Sequence, residues 1–589
     1  MVSVTSIGSS VFNNCSNLIT AGPIGSECNI EYGWTTEIPA NAFTNCSSLT
    51  SIVIPDSVTS IGNNAFYGCS SLSSITIPAS VTSIGRLVFR NCGNLKTAGP
   101  IGSGYNIEFA WTTEIPANAF SNCSSLTSIE IPDRVTSIGN GAFSGCSSLT
   151  NIVVPNSVIS IGDSAFSRCS SLMTIVIPDS VTSIGVAAFS ECNSLITITI
   201  PDSVINMGRY VFDDCSNLKT AGPIGSECNI EYGWTTNIPD NAFFGCSTLI
   251  RLTIPASVTK IGRNAFSDCS GLITAGPIGS GCNYEFGWTA SIPDNAFLGC
   301  IGLKDISIPS SVTSIGDGAF NSCFSLGSIT LPSGLVSIGN AAFFCCSALK
   351  SITLPSNIIS IGDETFSDCT GLMSIAIPSK ISSIGAYAFS GCNSLISIKI
   401  PEAVTSIGAF AFNHCIALRG VELSDGLISI SDHVFTDCRS LTEISIPASV
   451  STIGQNAFSC CSNLTEIPFF GTPPSISEDA FTNVAANAYY PANKGWTAAD
   501  MQNYGGNLTW MPMEEYTVKA LGTALNVLGE IGVRYFFNIP EQLMSGIYAE
   551  ITLGEKVVTV PQSEFVKSPV RITCSTFPCP RQKTRPSLP

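Results

Sequence analysis

The sequence predicts a mainly β, right-handed solenoid of about 20 coils, with short parallel strands and single helical turns. Nineteen cysteines recur with fourteen spacings of 23 residues and four of 31, and a Phe stands three residues before each. Hydrophobic residues make up 44% of the 589-residue chain, but no apolar run reaches the roughly 20 residues of a spanning helix. The hydrophobicity is therefore dispersed over stacked coils. The cysteine comb comprises Cys15, Cys46, Cys69, Cys92, Cys123, Cys146, Cys169, Cys192, Cys215, Cys246, Cys269, Cys300, Cys323, Cys346, Cys369, Cys392, Cys415, Cys438 and Cys461.

One coil, residues 72–92, shows what each position does. Leu72, Ile75 and Ile77 form the L-x-x-I-x-I strand pattern of leucine-rich repeats, in which alternate side chains point into the coil. Pro78 ends this strand because proline cannot donate to a ladder. A second extended segment follows at V-x-x-I, and the final A/V-F-x-x-C predicts a single helical or 3₁₀ turn.

Four coils are eight residues longer than the others, and each repeats a segment of the type TAGPIGSECNIEYGWTTEIP. Ordinary coils have Gly62 or Gly85 where these coils have proline. Because proline fixes φ near roughly −65°, the sequence predicts that this glycine serves close packing and not a positive φ. The long segments are residues 18–39, 95–116, 218–239 and 272–293, and their prolines are Pro39, Pro116, Pro239 and Pro293.

Composition divides the chain into three parts. Residues 1–461 form the solenoid, residues 462–514 a degenerate last repeat and C-terminal cap, and residues 515–589 a truncated β-rich segment with a disordered tail. Because Met1 enters in the middle of a coil without a signal peptide or cap, we expect the chain to be a fragment.

The charge and the rarity of histidine argue against several functions. Lys and Arg number 25 against 42 Asp and Glu, a net charge of −17, so nucleic acid is not an expected partner. His414 and His433 are the whole histidine inventory, and only Cys415 could form a Cys–His pair. Acidic residues are sparse turn residues. We therefore expect no enzyme activity, catalytic residue or cofactor.

The comb could be a metal ladder, a disulfide ladder or a ladder of buried thiols. Zinc needs ligands that converge on one point, whereas one thiol per coil gives parallel side chains. Parallel side chains keep their Cβ atoms near the strand spacing of about 4.8 Å, beyond the usual disulfide range. The sequence favours buried, reduced thiols and no metal site. Off-comb cysteines such as Cys28, Cys345 and Cys460 should be the accessible ones.

The repeat L-x-x-I-x-I-P-x-S-V-T-S-I-G-x-x-A-F-x-x-C resembles the BspA-like leucine-rich repeats over roughly residues 2–484. The resemblance implies a large secreted or surface-attached protein of host-associated bacteria or protists, implicated in adhesion. It implies no catalytic residues, because the family motif is structural.

Aromatic residues of the long coils are the candidate partner-binding residues. They either cover a widened core as one face of an added strand, or form a ridge that anchors a partner. The eight candidates are Tyr32, Trp34, Phe109, Trp111, Tyr232, Trp234, Phe286 and Trp288.

The resulting hypothesis is a non-enzymatic, adhesin-like extracellular protein that binds a host or neighbouring-cell protein or glycan. The alternatives are a structural spacer that displays a C-terminal domain and a recognition module attached to a hydrolase. We expect a secreted or cell-surface location, although the chain carries neither an export signal nor an anchor, and no transmembrane segment.

Overall fold

The computed structural model describes most of the solenoid and parts of the C-terminal segment. The described residues are 8–32, 36–100, 107–109, 113–223, 230–232, 237–254, 260–277, 284–286, 290–513, 520–528, 530–537, 548–553, 556–561, 565–567 and 572–574.

Each coil has a first side that carries the L-x-x-I-x-I strand. Neighbouring first strands pair in parallel with equivalent residues opposite each other, as at Ser51 and Ser74, so one coil advances the sheet by one strand. The predicted parallel stacking is confirmed. The first strands are Thr20–Pro23, Ser51–Val53, Ser74–Thr76, Thr97–Pro100, Ser128–Ile129, Asn151–Val153, Thr174–Val176, Thr197–Ile200, Thr220–Pro223, Arg251–Ile254, Thr274–Pro277, Asp305–Ser307, Ser328–Thr330, Ser351–Thr353, Ser374–Ala376, Ser397–Lys399, Gly420–Glu422 and Glu466–Pro468.

The second side of each coil carries a two-residue strand at the predicted V-x-x-I position. Its outward residue is usually Ser and its inward residue Ile, and the Ile is buried in most coils. The second strands are Glu37–Ile38, Ser60–Ile61, Ser83–Ile84, Glu114–Ile115, Ser137–Ile138, Ser160–Ile161, Ser183–Ile184, Asn206–Met207, Asn237–Ile238, Lys260–Ile261, Ser291–Ile292, Ser314–Ile315, Ser337–Ile338, Ser360–Ile361, Ser383–Ile384, Ser406–Ile407, Ser429–Ile430, Thr452–Ile453 and Ser475–Ile476.

The third side, called the turn side, holds the A-F-x-x-C segment. Cys46 donates its backbone N–H to Phe43 O at 3.2 Å, which closes a tight turn. Asn41 and Asn45 have φ of 58° and 56°, and this left-handed conformation interrupts any helix. The structure thus has consecutive hydrogen-bonded turns at the position of the predicted single helical or 3₁₀ turn, and no α-helix occurs in the described part of the chain.

A column of phenylalanine rings fills the core beside these turns. Successive rings from Phe12 to Phe481 stack with centroids 5.1 to 6.0 Å apart. The rings from Phe43 onward are almost completely buried, with exposed fractions of 0 to 1%. Each coil therefore contributes one ring, and the column crosses every junction between coils, including those of the long coils.

Glycine at the end of the second strand is required for close packing, as predicted. Gly62 and Gly385 do not have a positive φ, and a Cβ added to either would lie 2.5 Å from a backbone nitrogen of the preceding coil. Real Cβ atoms essentially never come this close. The same glycine also donates its N–H across the junction, as Gly385 does to Ile361 O at 2.9 Å.

Two longer strands follow the last coils, and further strands lie in the C-terminal segment. Trp496 and Trp510 pack within 5.2 to 5.4 Å of each other and of the Phe469 ring, and each indole N–H donates to a backbone carbonyl. Pairing within the C-terminal segment is antiparallel. These strands are Ala485–Tyr490, Asn507–Pro512, Ala520–Leu528, Glu530–Phe537, Tyr548–Leu553, Lys556–Pro561, Phe565–Lys567 and Ile572–Cys574. The division into solenoid, cap and truncated segment stays a prediction.

Candidate functional site: the four inserts

Each long coil adds a third strand, which we call the insert strand. It pairs in parallel with the first strand of its own coil, as Ile107 does opposite Ala98. On its other edge, each of the last three insert strands pairs with the first strand of the preceding coil, as Ile107 does opposite Ile75. These three insert strands therefore lie inside the first sheet, between two coils, and the first insert strand lies at the edge of its sheet. The insert strands are Ile30–Tyr32, Ile107–Phe109, Ile230–Tyr232 and Tyr284–Phe286.

The structure places only part of the predicted partner-binding set. Four of the eight residues lie on the insert strands, and the four tryptophans lie outside the described residues. Whether the aromatic side chains are buried or form a ridge therefore stays a prediction. The strand residues are Tyr32, Phe109, Tyr232 and Phe286, and the tryptophans are Trp34, Trp111, Trp234 and Trp288.

In the first long coil, residues 24–29 form a loop, called the insert loop, that joins the first strand to the insert strand. The Glu31 carboxylate accepts the backbone N–H of Gly25 at 3.0 Å and that of Glu27 at 2.7 Å. Asn29 Oδ1 accepts both the N–H and the hydroxyl of Thr20 at 3.1 and 3.0 Å. Both ends of the loop are thus fixed by side chains of the flanking strands.

This loop folds back over the outer face of its own first strand. A Cβ added at Gly22 would lie 2.5 Å from Ser26 Oγ, so only glycine leaves room for the loop. Gly25 adopts φ 91°, which glycine tolerates without strain. The neighbouring Ile24 is 67% exposed. An aliphatic side chain is therefore held in solvent on a loop that hydrogen bonds keep in one conformation.

Sequence reasoning missed Glu31 and Ile24 because it followed the aromatic residues. The signal was present: threonine, glycine, isoleucine, asparagine and glutamate recur at fixed positions in all four long coils. The isoleucines are Ile24, Ile101, Ile224 and Ile278, and the glutamates are Glu31, Glu108, Glu231 and Glu285.

The comb cysteines form a second repeated feature, on the turn side. Each thiol from Cys46 to Cys461 donates to the carbonyl of the Phe in the preceding coil, as Cys146 does to Phe120 O at 3.1 Å. The same carbonyl accepts the backbone N–H of the cysteine in its own coil, Cys123, at 3.0 Å. From Cys46 to Cys461 the comb thus consists of buried thiols that join neighbouring coils, as the sequence favoured, whereas Cys15 is only partly buried.

Burial keeps the comb thiols from Cys46 to Cys438 protonated. Loss of hydration raises the pKa of Cys46 to about 11 and that of Cys123 and Cys415 to about 12, although each thiol also accepts a backbone hydrogen bond that lowers it. A thiol with such a raised pKa is a poor nucleophile and a poor metal ligand at neutral pH. Cys415, which the sequence placed beside His414, instead donates to Phe389 O at 3.2 Å.

The first prediction concerns these thiols. Native alkylation followed by mass spectrometry should modify Cys28, Cys345 and Cys460 before any comb thiol from Cys46 to Cys461, because the three are partly exposed. The same reagent in denaturant is the control and should label all of them. Comb cysteines recovered as disulfides would contradict the packing argument.

The two histidines lie on the surface of neighbouring turns. His414 is 58% exposed, and its Nδ1 is 2.7 Å from Asp437 Oδ2. Burial alone would raise the pKa of Asp437, but hydrogen bonds from Arg439 and His414 lower it below its usual value. His433 stacks on Phe410 at 4.4 Å. Both histidines have structural partners that account for them.

Within the described residues, no three His, Cys, Asp or Glu side chains converge as metal ligands would. No helix found in the same part of the chain has the length and apolarity to cross a bilayer.

Stacked coils with L-x-x-I-x-I strands define a solenoid of the leucine-rich-repeat class. The sequence model of one protein family, the BspA type leucine rich repeat region, matches residues 36–102, 113–232, 226–276, 290–402 and 382–490 of the chain. The chain therefore belongs to this family, as the repeat predicted. Proteins of the class are generally interaction modules without catalytic function, so a protein-interaction role follows.

Several solved structures with similarity to the chain come from bacteria. A leucine-rich repeat protein of Bacteroides ovatus is 26% identical and covers 78% of this chain and 92% of its own, with a TM-score of 0.44. A leucine rich cell surface protein of Faecalibacterium prausnitzii is 28% identical, with coverages of 72% and 88% and a TM-score of 0.31. The T. pallidum leucine rich repeat protein is 32% identical, with coverages of 31% and 80% and a TM-score of 0.27. No curated protein matches the chain.

Proposed function

We propose that the protein is an adhesin-like, non-enzymatic interaction protein of the cell surface or extracellular space, and that its inserts bind a protein partner. The observation that supports this most directly is the insert loop with its exposed Ile24. The loop is held by Glu31 and Asn29 before any partner arrives. Because the loop is already ordered in the free protein, binding a partner costs less conformational entropy.

Repetition of the insert supports the same proposal. The chain has four such segments on one side of the coils that end at Cys46, Cys123, Cys246 and Cys300, and insertions in solenoids commonly mark the binding face. Four weak contacts on one array give avidity far above that of each contact alone. The aromatic candidates, Trp34 and its three equivalents among them, lie beside the insert strands in sequence and would supply larger anchors.

The test compares two quadruple variants in binding to immobilised collagen, fibronectin and laminin. In one, Trp34, Trp111, Trp234 and Trp288 become Ala. In the other, Ile24, Ile101, Ile224 and Ile278 become Ser. We expect each to weaken binding at least tenfold, since hot-spot residues contribute about 2 kcal/mol or more each.

The matched control changes four exposed isoleucines of the second side to Ser. These residues are 51 to 71% exposed: Ile159, Ile205, Ile359 and Ile428. The control should bind as the unaltered protein does. Unfolding of the tryptophan variant would assign the tryptophans to the core, and full binding by the folded isoleucine variant would favour the spacer function instead.

A further inference from the structure

The insert strands lengthen one side of the solenoid only. Between the coils that contain Phe89 and Phe120, the first sheet advances by two strand spacings, because Ile107–Phe109 lies between Ser74–Thr76 and Thr97–Pro100. On the turn side the same junction advances by one ring, with Phe89 and Phe120 5.5 Å apart. The difference is one strand spacing, about 4.8 Å.

On the turn side, neighbouring coils stay hydrogen-bonded to each other at all three internal junctions that contain an insert strand. The thiols of Cys123, Cys246 and Cys300 donate across them at 3.1 to 3.2 Å. The Phe pairs there are 5.5 to 5.9 Å apart, within the range of ordinary coils. The turn side therefore acts as the closed edge of each junction.

The second sheet is interrupted at these same three junctions. Among the described second strands, Ser83–Ile84 does not pair with Glu114–Ile115, Asn206–Met207 does not pair with Asn237–Ile238, and Lys260–Ile261 does not pair with Ser291–Ile292. The prolines explain this, because Pro116, Pro239 and Pro293 have no N–H to donate where an ordinary coil has glycine. A proline would also clash if the preceding coil were as close as it is at Gly385.

One junction between ordinary coils serves as a comparison. The second sheet is also interrupted between Ser337–Ile338 and Ser360–Ile361, but there the first sheet is interrupted as well, between Ser328–Thr330 and Ser351–Thr353. No strand is added on either side. Among the described coils with strands on both sides of a junction, only the three insert junctions gain a strand on one side while the turn side remains closed.

We infer that the insert strands bend the solenoid at these three junctions and make the insert-bearing first side convex. An opening of about 4.8 Å across a coil roughly 10 Å deep corresponds to about 25° per junction. On a convex side the inserts diverge from one another. If the proposed binding function is correct, the surface therefore fits a partner that displays its epitope repeatedly, and not one broad rigid face.

Solution scattering tests the bend without any partner. In a triple variant, residues 97–116, 220–239 and 274–293 are each replaced by the sequence of residues 74–85, which removes eight residues and restores glycine at each junction. Straightening three bends of this size should increase the maximum dimension of the solenoid by roughly a tenth. Single replacements should each give part of the change, and they preserve the test if the triple variant does not fold.

The matched control replaces residues 151–162 of an ordinary coil by the same twelve-residue sequence and should leave the scattering curve unchanged. An unchanged curve for the folded triple variant would overturn the bend. The partner class is tested separately, by comparing binding to densely immobilised fibronectin with binding to the soluble monomer. A dense layer should bind at least tenfold more tightly, and equal affinity would overturn the repeated-epitope interpretation while leaving the bend intact.

Discussion

Raising the pH from 8 to 10 should unfold the solenoid cooperatively, because its buried thiols cannot ionise in the folded state. Burial raises the pKa of seventeen comb thiols, from Cys46 to Cys438, above the ordinary value of 9.0. Below pH 9 the thiols are protonated in both states, so the stability is fully present. Above pH 9 the unfolded chain releases protons that the folded chain retains, and stability falls until the folded pKa values are reached.

The loss of stability at high pH is large enough to unfold the protein. One pKa unit corresponds to about 1.4 kcal/mol for each group. With seventeen thiols, one pH unit above the ordinary pKa removes on the order of 20 kcal/mol, which exceeds the net stability of about 5 to 15 kcal/mol of a typical domain. Circular dichroism against pH should therefore show a transition near pH 10, reversible if reducing agent is present.

The number of thiols should set the steepness of the transition. Changing four comb cysteines to Ala, at positions 146, 169, 192 and 215, leaves 17 − 4 = 13 of these thiols and should reduce the dependence of unfolding free energy on pH by about a quarter. Phe120 O still accepts the N–H of Cys123 in this variant. As a control, Ile152→Val with Ile175→Val should lower stability at pH 7 without changing the slope. If the unfolding free energy depended equally on pH in this variant and in the unaltered protein, the prediction would be contradicted.

The period of the sequence predicts the two strands of a coil because each position has a single physical role. Alternation at Leu72, Ile75 and Ile77 places three side chains inward, and all three are buried. Proline in the long coils correctly indicated that Gly62 serves close packing. Such conclusions depend on local residues alone, which is why they could be drawn without a structure.

The place of the insert strand could not be predicted in the same way. Alternation at Ile30 and Tyr32 indicates an added strand, but parallel pairing with the first strand of the same coil requires the chain to turn back through residues 24–29. That reversal depends on Glu31 accepting two backbone N–H groups and on the absence of a side chain at Gly22. Pattern alone carries no information about which edge a strand pairs with.

The turn segment shows how far a spacing can predict. Phe and Cys three residues apart fit a single helical or 3₁₀ turn, and the hydrogen bond from Cys46 N–H to Phe43 O has that separation. The turn does not continue into a helix because the residues on either side of the A-F-x segment, Asn41 and Asn45, are left-handed. Asparagine is one of the few residues that adopts this conformation at small cost, so its frequency before Ala and Cys was the overlooked signal.

Exchanging glycine and proline at the end of the second strand should change stability strongly in an ordinary coil and little in a long coil. Gly385→Pro removes the N–H that Ile361 O accepts at 2.9 Å and adds a ring where even a Cβ would lie 2.5 Å from Asp363 N. An unsatisfied buried carbonyl costs about 1 to 3 kcal/mol and overpacking a similar amount. We expect a loss of about 3 kcal/mol or more in guanidinium denaturation, with unfolding that spreads to neighbouring coils.

Pro116→Gly is the reverse exchange in a long coil, where the second sheet is already interrupted. It should change stability by no more than about 1 kcal/mol, because it alters chiefly the entropy of the unfolded chain. Gly420→Ala controls for the loss of glycine itself, since nothing lies within 4 Å of the added Cβ, and it should be nearly neutral. A gain of about 3 kcal/mol for Pro116→Gly would mean that the preceding coil is as close there as it is at Gly385, since glycine would then relieve a clash and restore a hydrogen bond. The openings at the insert junctions, and the bend that depends on them, would then be wrong.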